Sequence, residues 1–279
     1  MAPSAADVRR RSVWRTPINE TNPAASLLLV THGIRGGPGA AADLARALEA
    51  TGCFRAVRVG CHKALPDMAE ALDLLPPGPV IAAPLLMAEG WIFNAISRRL
   101  ADHPRAVEVS LAPAVGTHPD LWRLVEARAL ALCDRHAWAP ETTTLLLAGH
   151  GTPRHAGAAA TTRAVATSIA ARGTFADVRA GFLDESPELA DVAAGLGSGP
   201  CVAVGFFVDN GPHGRDDVAE ALAAAPGPVA YTGAVAADEA VLPYLLDQIR
   251  AARPVSTTTA QDGADSSLSR PRHIASARV

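Results

Sequence analysis

Three histidines pose the chemical question. The stretches "LLLVTHGIRGG" (27–37) and "LLLAGHGTPRH" (145–155) each run an apolar segment into a histidine followed by glycine. His32 and His150 therefore stand where a strand ends and the chain can turn. His213 lies in "GFFVDNGPHGRDDV" (205–218), again just past an apolar run. In open α/β sheets, ligands gather outside the carboxyl ends of the strands. His150 and His213, from two strands of one sheet, can then converge on one cleft. Neutral imidazoles with open coordination positions suit a first-row divalent metal. Asp184 and Glu185, in "GFLDESPEL" (181–189), add a pair of carboxylates after a further strand.

The elements that must position these groups alternate in type. Strand-like runs are "SLLLVT", "RAVRVG", "PVIAAPLL", "AVEVSL", "TTTLLLAG", "ADVRAGF", "CVAVGFFV" and "PVAYTG". Most are continuously apolar, as in strands covered on both faces. Helical patterns fall between them at 38–50, 66–75, 90–101, 118–136, 155–172, 187–196, 215–224 and 237–252. Alternation of this kind predicts parallel sheets with right-handed crossovers. Thr117 reads as the N-cap of the fourth helix.

The chain also repeats itself. Phe54, Val57, Gly60, Pro66, Gly90 and Leu121 recur as Phe175, Val178, Gly181, Pro187, Gly211 and Leu242, each pair 121 residues apart. His32 and His150 are 118 apart, so the second copy is three residues shorter near its start. The reading is two α/β half-units, 26–138 and 139–253, each with a four-stranded parallel sheet flanked by helices, between disordered tails at 1–25 and 254–279. The copies differ where chemistry would sit. Ile92 occupies the position of His213, and Lys63 and Ala64 those of Asp184 and Glu185. The first copy keeps the fold and has a degenerate site; the live one belongs to the second.

Three motifs in order carry a family resemblance: "LLLAGHG", "GFLDESPEL" and "GPHGRDDV", mirrored in the first copy by "LLLVTHG", "LPDMAEAL" and "PLLMAEG". The pattern resembles the class II sirohydrochlorin chelatases, cobalt- and iron-inserting enzymes of cobalamin and sirohaem synthesis. The resemblance spans about residues 26–250. It implies a tetrapyrrole bound between two similar halves, with a divalent metal, Co²⁺ or Fe²⁺, as substrate and no organic cofactor; cobalt is favoured on family grounds. It makes His150 and His213 the metal-binding catalytic pair and puts the family's acid at Asp184, with Glu185 beside it. Long members of the family often keep their histidine pair in the amino-terminal half, and this chain departs from that.

Within that reading, the histidine pair holds the ion loosely and accepts pyrrole protons, and Asp184 or Glu185 orients a histidine or takes a proton onward. A polycarboxylate substrate calls for cationic donors. Arg154 and Arg215 follow the two histidines, and Arg35 and His32 sit at the matching turn of the first half. Asp216 and Asp217 read as charges at a helix start. Trp91 reads as core filling, though it could cover a macrocycle face. His155 opens a helix beside the site, and His62, His103, His118, His136 and His273 read as surface or turn residues.

Bulk properties exclude other classes. A net charge of −3 over 279 residues gives no electrostatic case for nucleic acid or an anionic membrane. Four scattered cysteines without a C-x-x-C pair argue against a thiolate metal site or a disulfide framework. No run approaches membrane-span length, and the arginines near the start precede no apolar segment, so a cytoplasmic location follows. Two fused halves allow a monomer to form the whole cleft. A histidine phosphatase would place arginine directly before the histidine, where Thr31 and Gly149 stand. A non-catalytic metal or tetrapyrrole carrier is the remaining alternative, and retention of both His150 and His213 argues against it.

Overall fold

The computed structural model describes residues 25–34, 37–152 and 157–255. The first half runs β1 (Ser26–Thr31), α1 (Ala40–Ala50), β2 (Val57–Cys61), α2 (Met68–Asp73), β3 (Val80–Leu85), α3 (Trp91–Ala101), β4 (Val109–Leu111) and α4 (Leu121–His136). The second runs β5 (Thr144–Gly149), α5 (Gly157–Ala170), β6 (Asp177–Phe182), α6 (Leu189–Ala194), β7 (Cys201–Gly205), α7 (Val218–Leu222), β8 (Val229–Ala234), α8 (Leu242–Arg250) and β9 (Arg253–Pro254). The strands pair in the orders β2-β1-β3-β4-β9 and β6-β5-β7-β8. All pairings are parallel except β4 with β9.

Each expected strand and helix is present; β1 has the expected bounds, β2 and β8 run one residue past theirs, and most of the others are shorter at their ends. The first sheet gains an edge strand that the sequence pattern conceals. Arg253 and Pro254 pair antiparallel with Leu111 and Ser110, and Val255 is buried behind them. Ala25 is buried as well, and the remainder of the tails expected at 1–25 and 254–279 lies outside the described residues. Thr117 is not the cap of α4. Its hydroxyl donates to the Ala114 carbonyl inside a short 3₁₀ turn, and Asp120 occupies the cap position, its carboxylate accepting from Arg123 rather than from a helix N–H.

Both faces of each sheet are covered, which is why the strands read as continuous apolar runs. On β1, Leu27 and Leu29 face a central core while Leu28 and Val30 face an outer one. The central core unites both sheets with α1, α4, α5 and α8. The outer cores are closed by α2 and α3 on the first sheet and by α6 and α7 on the second.

The terminal helices trade places. Although α4 belongs to the first repeat, it packs on β7, β8 and α5 of the second. There Glu126 takes hydrogen bonds from Arg172 and Thr174, and Arg128 pairs with Asp238. In return α8 packs on β3, and Gln248 donates to the Ala114 carbonyl and the Thr117 hydroxyl. His118, expected at the surface, is therefore mostly buried against Tyr244 and Asp247 of α8. His103 is likewise buried, beside Asp73.

The 121-residue offset has a steric cause. A Cβ on Gly60 would lie 2.7 Å from the Met68 Cα, and one on Gly181 2.9 Å from the Leu189 Cα. Each glycine lets the following helix rest on its strand. Pro66 and Pro187 both follow cis peptide bonds, and their carbonyls accept from Cys61 and Phe182 N–H respectively.

Candidate functional site

Within each sheet the chain steps to one side of its first strand and then crosses to the other. The helix after β5 joins the central core and the helix after β7 the outer one. The tips of β5 and β7 therefore diverge and leave a crevice, the position where open α/β sheets bind ligands. His150 follows the last residue of β5. Gly151 beside it has φ +69°, and a Cβ there would lie 2.6 Å from the Glu185 Cβ, so only glycine fits the turn. His213 opens a single π-helical turn, His213–Asp217, that leads into α7. Such turns gather at functional sites because they redirect side chains.

The two rings meet across the crevice, with centroids 4.8 Å apart and planes inclined by 63°. Both are exposed, at 46% and 61% of their side-chain surface. Their hydrogen bonds fix which nitrogen is free. His150 Nδ1 lies 3.0 Å from the Gly151 carbonyl oxygen, which can only accept, so Nδ1 carries the proton. His213 Nδ1 lies 2.6 Å from Asp217 Oδ2, and the same logic applies. In both rings the lone pair is left on Nε2. Those two Nε2 atoms, on rings 4.8 Å apart, are the nitrogens left to bind a divalent ion. His32 adopts the same tautomer, with Nδ1 3.0 Å from the Gly33 carbonyl. Burial lowers its pKa against the raising effect of the Gly33 hydrogen bond, and Lys63, His150 and His213 add to the lowering.

The carboxylates divide by position. Asp184 is exposed, with Oδ2 3.4 Å from His150 Nδ1; its N–H donates to the His150 carbonyl. Glu185 turns away, accepting from Thr152 N–H and from Arg163. Asp217, read from sequence as a helix-start charge, is instead the partner of His213. The spacing of four residues on one turn was the available signal. Arg215 forks onto the neighbouring Asp216 at the surface. Arg35, Arg154 and His155 lie outside the described residues.

A cavity of about 450 Å³ opens beside His150. Leu86, Met87, Gly90, Trp91 and Ile92 of the first half form one wall; His150, Gly151, Thr152, Thr162 and Phe206 of the second form the other. Trp91 is 56% exposed on this wall and is no core filler. The arrangement can hold a divalent ion at the rim of an apolar slot built from both halves. Among the described residues, no group of three or more His, Cys, Asp or Glu side chains could enclose a metal.

The model of the CbiX family matches residues 26–132 and again 144–252, one copy per half. The chain belongs to the CbiX family. This CbiX chain is 28% identical over 221 residues to a probable sirohydrochlorin cobaltochelatase of Halobacterium salinarum, covering 70% of the chain and 75% of that relative. It superposes with a TM-score of 0.64 and 26% identity on the structure of CbiX, the terminal enzyme for biosynthesis of sirohaem in denitrifying bacteria, covering 81% of this chain and 98% of that one. A multi-domain protein of Deinococcus radiodurans with structural similarity to chelatases matches at a TM-score of 0.66 and 21% identity. This chain covers 54% of that protein's length, with 81% of its own residues aligned. Two repeated α/β halves with helix-flanked parallel sheets are thus common to this CbiX member and its structural neighbours.

Proposed function

We propose that this chain is a sirohydrochlorin chelatase, inserting Co²⁺ or Fe²⁺ into sirohydrochlorin or a related tetrapyrrole on the way to cobalamin or sirohaem. Membership of the CbiX family and likeness to a probable sirohydrochlorin cobaltochelatase support the reaction class, and the latter favours cobalt. The observation that carries the site is the pair of imidazoles 4.8 Å apart with both Nδ1–H groups already engaged. On this reading the metal, a substrate, is held by His150 Nε2 and His213 Nε2 with its other positions open to water and then to pyrrole nitrogens. Two neutral ligands release an ion that a closed four-ligand site would retain. Insertion frees two pyrrole protons for the one dication bound. Asp184, exposed and next to His150, can take the two protons in turn and pass each to water. Glu185 serves as a strut, tying the Thr152 backbone to Arg163.

Both walls of the cavity come from one chain, so a monomer suffices. The four cysteines are free, in keeping with a cytoplasmic setting, and no helix among the described residues is long and apolar enough to cross a membrane. The test is direct: mix metal-free sirohydrochlorin with Co²⁺ or Fe²⁺, with and without protein, and follow the macrocycle absorption bands. Catalysed insertion is expected, and a rate unchanged by protein overturns the proposal.

Asp217→Asn should weaken the site without emptying it. An amide in place of the carboxylate withdraws the charge that makes His213 a better donor, and such outer partners are worth about 10–100-fold in metal affinity. Titration of Co²⁺ against the variant, read by the ligand-field spectrum, checks the loss.

A further inference from the structure

The degenerate site of the first half has reversed its charge while keeping its geometry. Lys63 N–H donates to the His32 carbonyl at 2.9 Å, as Asp184 N–H donates to the His150 carbonyl at 2.9 Å. Lys63 thus leaves its strand tip as Asp184 leaves its own, with an ammonium in place of a carboxylate. It is the only lysine among the 25 basic residues of the chain. Its Nζ lies 5.7 Å from the centre of the Trp91 ring, on the cavity wall facing His150. An indole face holds an ammonium there by cation–π attraction without neutralising it. Nearby arginines are already engaged by carboxylates: Arg99 by Asp67, Arg163 by Glu185 and Arg215 by Asp216. Among the described residues no carboxylate pairs with Lys63.

We infer that Lys63 and Trp91 form a carboxylate-anchoring subsite that fixes which way the tetrapyrrole lies in the cleft. The inference rests on the chelatase reading and adds the orientation of the substrate to it. A second metal is disfavoured here. Ile92 replaces the second imidazole, and the ammonium repels a dication from His32. An anion is favoured, because the Lys63 ammonium stands over a wall that is otherwise apolar and offers it no carboxylate. On the opposite side the exposed Asp184 and Asp217 would repel acidic side chains. A polycarboxylate macrocycle therefore settles with a carboxylate on Lys63 and a face against Trp91, and its nitrogen centre is carried toward His150 and His213. His62 backs the platform. Its ring meets Trp91 edge-on at 6.2 Å, and both ring nitrogens are buried without hydrogen-bond partners.

A lone lysine makes the subsite directly readable. Acetylation of the full-length protein with a limiting amine reagent, followed by peptide mass spectrometry, reports on Lys63 alone apart from the terminal amine. Metal-free sirohydrochlorin is expected to slow Lys63 acetylation about tenfold, in the wild type and equally in His213→Ala, where insertion fails. Lys63→Ala should raise KM for sirohydrochlorin about tenfold, the value of one charge-assisted contact, with a smaller change in kcat and none in KM for Co²⁺. Lys63→Arg should recover most of that loss, and Trp91→Leu should raise the same KM. Absence of protection together with an unaltered KM in Lys63→Ala overturns the anchor, even where the wild type inserts metal. Protection without any insertion would instead leave the anchor standing and refute the chelatase reading.

Discussion

His213→Ala is expected to lower the rate of metal insertion by about 10²–10⁴-fold, and His150→Ala by a similar factor. Each ring supplies one of two Nε2 lone pairs in the crevice, and neither can hold a labile dication alone. The double variant should be little worse than either single one, because groups that act as a unit do not lose activity additively. Both side chains are exposed, so the folded state should tolerate either change to within about 0.5 kcal/mol. The measurement is the insertion rate from the macrocycle spectrum, with a urea midpoint alongside. Near wild-type turnover in either variant would mean that the ion is handled elsewhere.

Gly214→Ala should be nearly as damaging although it removes no functional group. A Cβ at this position would lie 2.3 Å from the Asp209 carbonyl oxygen, a backbone atom with nowhere to go. Asp209 is itself fastened across the halves, accepting from Ala40 N–H at the start of α1. The Gly214 carbonyl accepts from the half-buried Tyr231 hydroxyl at 2.6 Å. Relief therefore has to come from the π turn that carries His213. We expect a stability loss of about 1–3 kcal/mol in urea unfolding. A displacement of about 1 Å at the neighbouring His213 would cost on the order of 100-fold in insertion rate. Gly211→Ala, whose added Cβ would meet only Ile34 Cγ2 at an ordinary 3.5 Å, is the control. Equal behaviour of the two variants would separate the turn geometry from activity.

Much of this architecture is legible along the chain because the constraints behind it are local or repeated. Leu27 to Val30 announce a doubly covered strand by composition alone, and a glycine needed for close packing at position 60 is needed again at 181. The placement of His32 and His150 at strand tips follows from the same patterns, whereas His213 sits farther on, at the head of the turn into α7. Partners chosen through the fold are less visible. Asp217 and His213 share a turn whose π geometry has no clear sequence signature, so the carboxylate looks like an ordinary helix charge. Glu185 and Asp184 are neighbours in sequence, and it takes Arg163 of α5 and the Thr152 N–H to draw one of them away. Trp91 reads as core from its residue type, yet the first half of a duplicated site leaves it uncovered. The exchange of α4 and α8 is hidden for a different reason: amphipathic periodicity says that a helix buries one face and not which sheet receives it.

That exchange bears on how substrate gets in. Were the halves merely tethered, the slot between them could gape like a clamshell about the 137–143 linker. Here Leu245 and Gln248 of the second repeat are rooted in the first half, and Glu126 and Arg128 of the first are rooted in the second. Parting the walls would draw both helices from their seats. On the chelatase reading, a macrocycle is then expected to enter edgewise, with adjustment left to side chains and short loops at the rim.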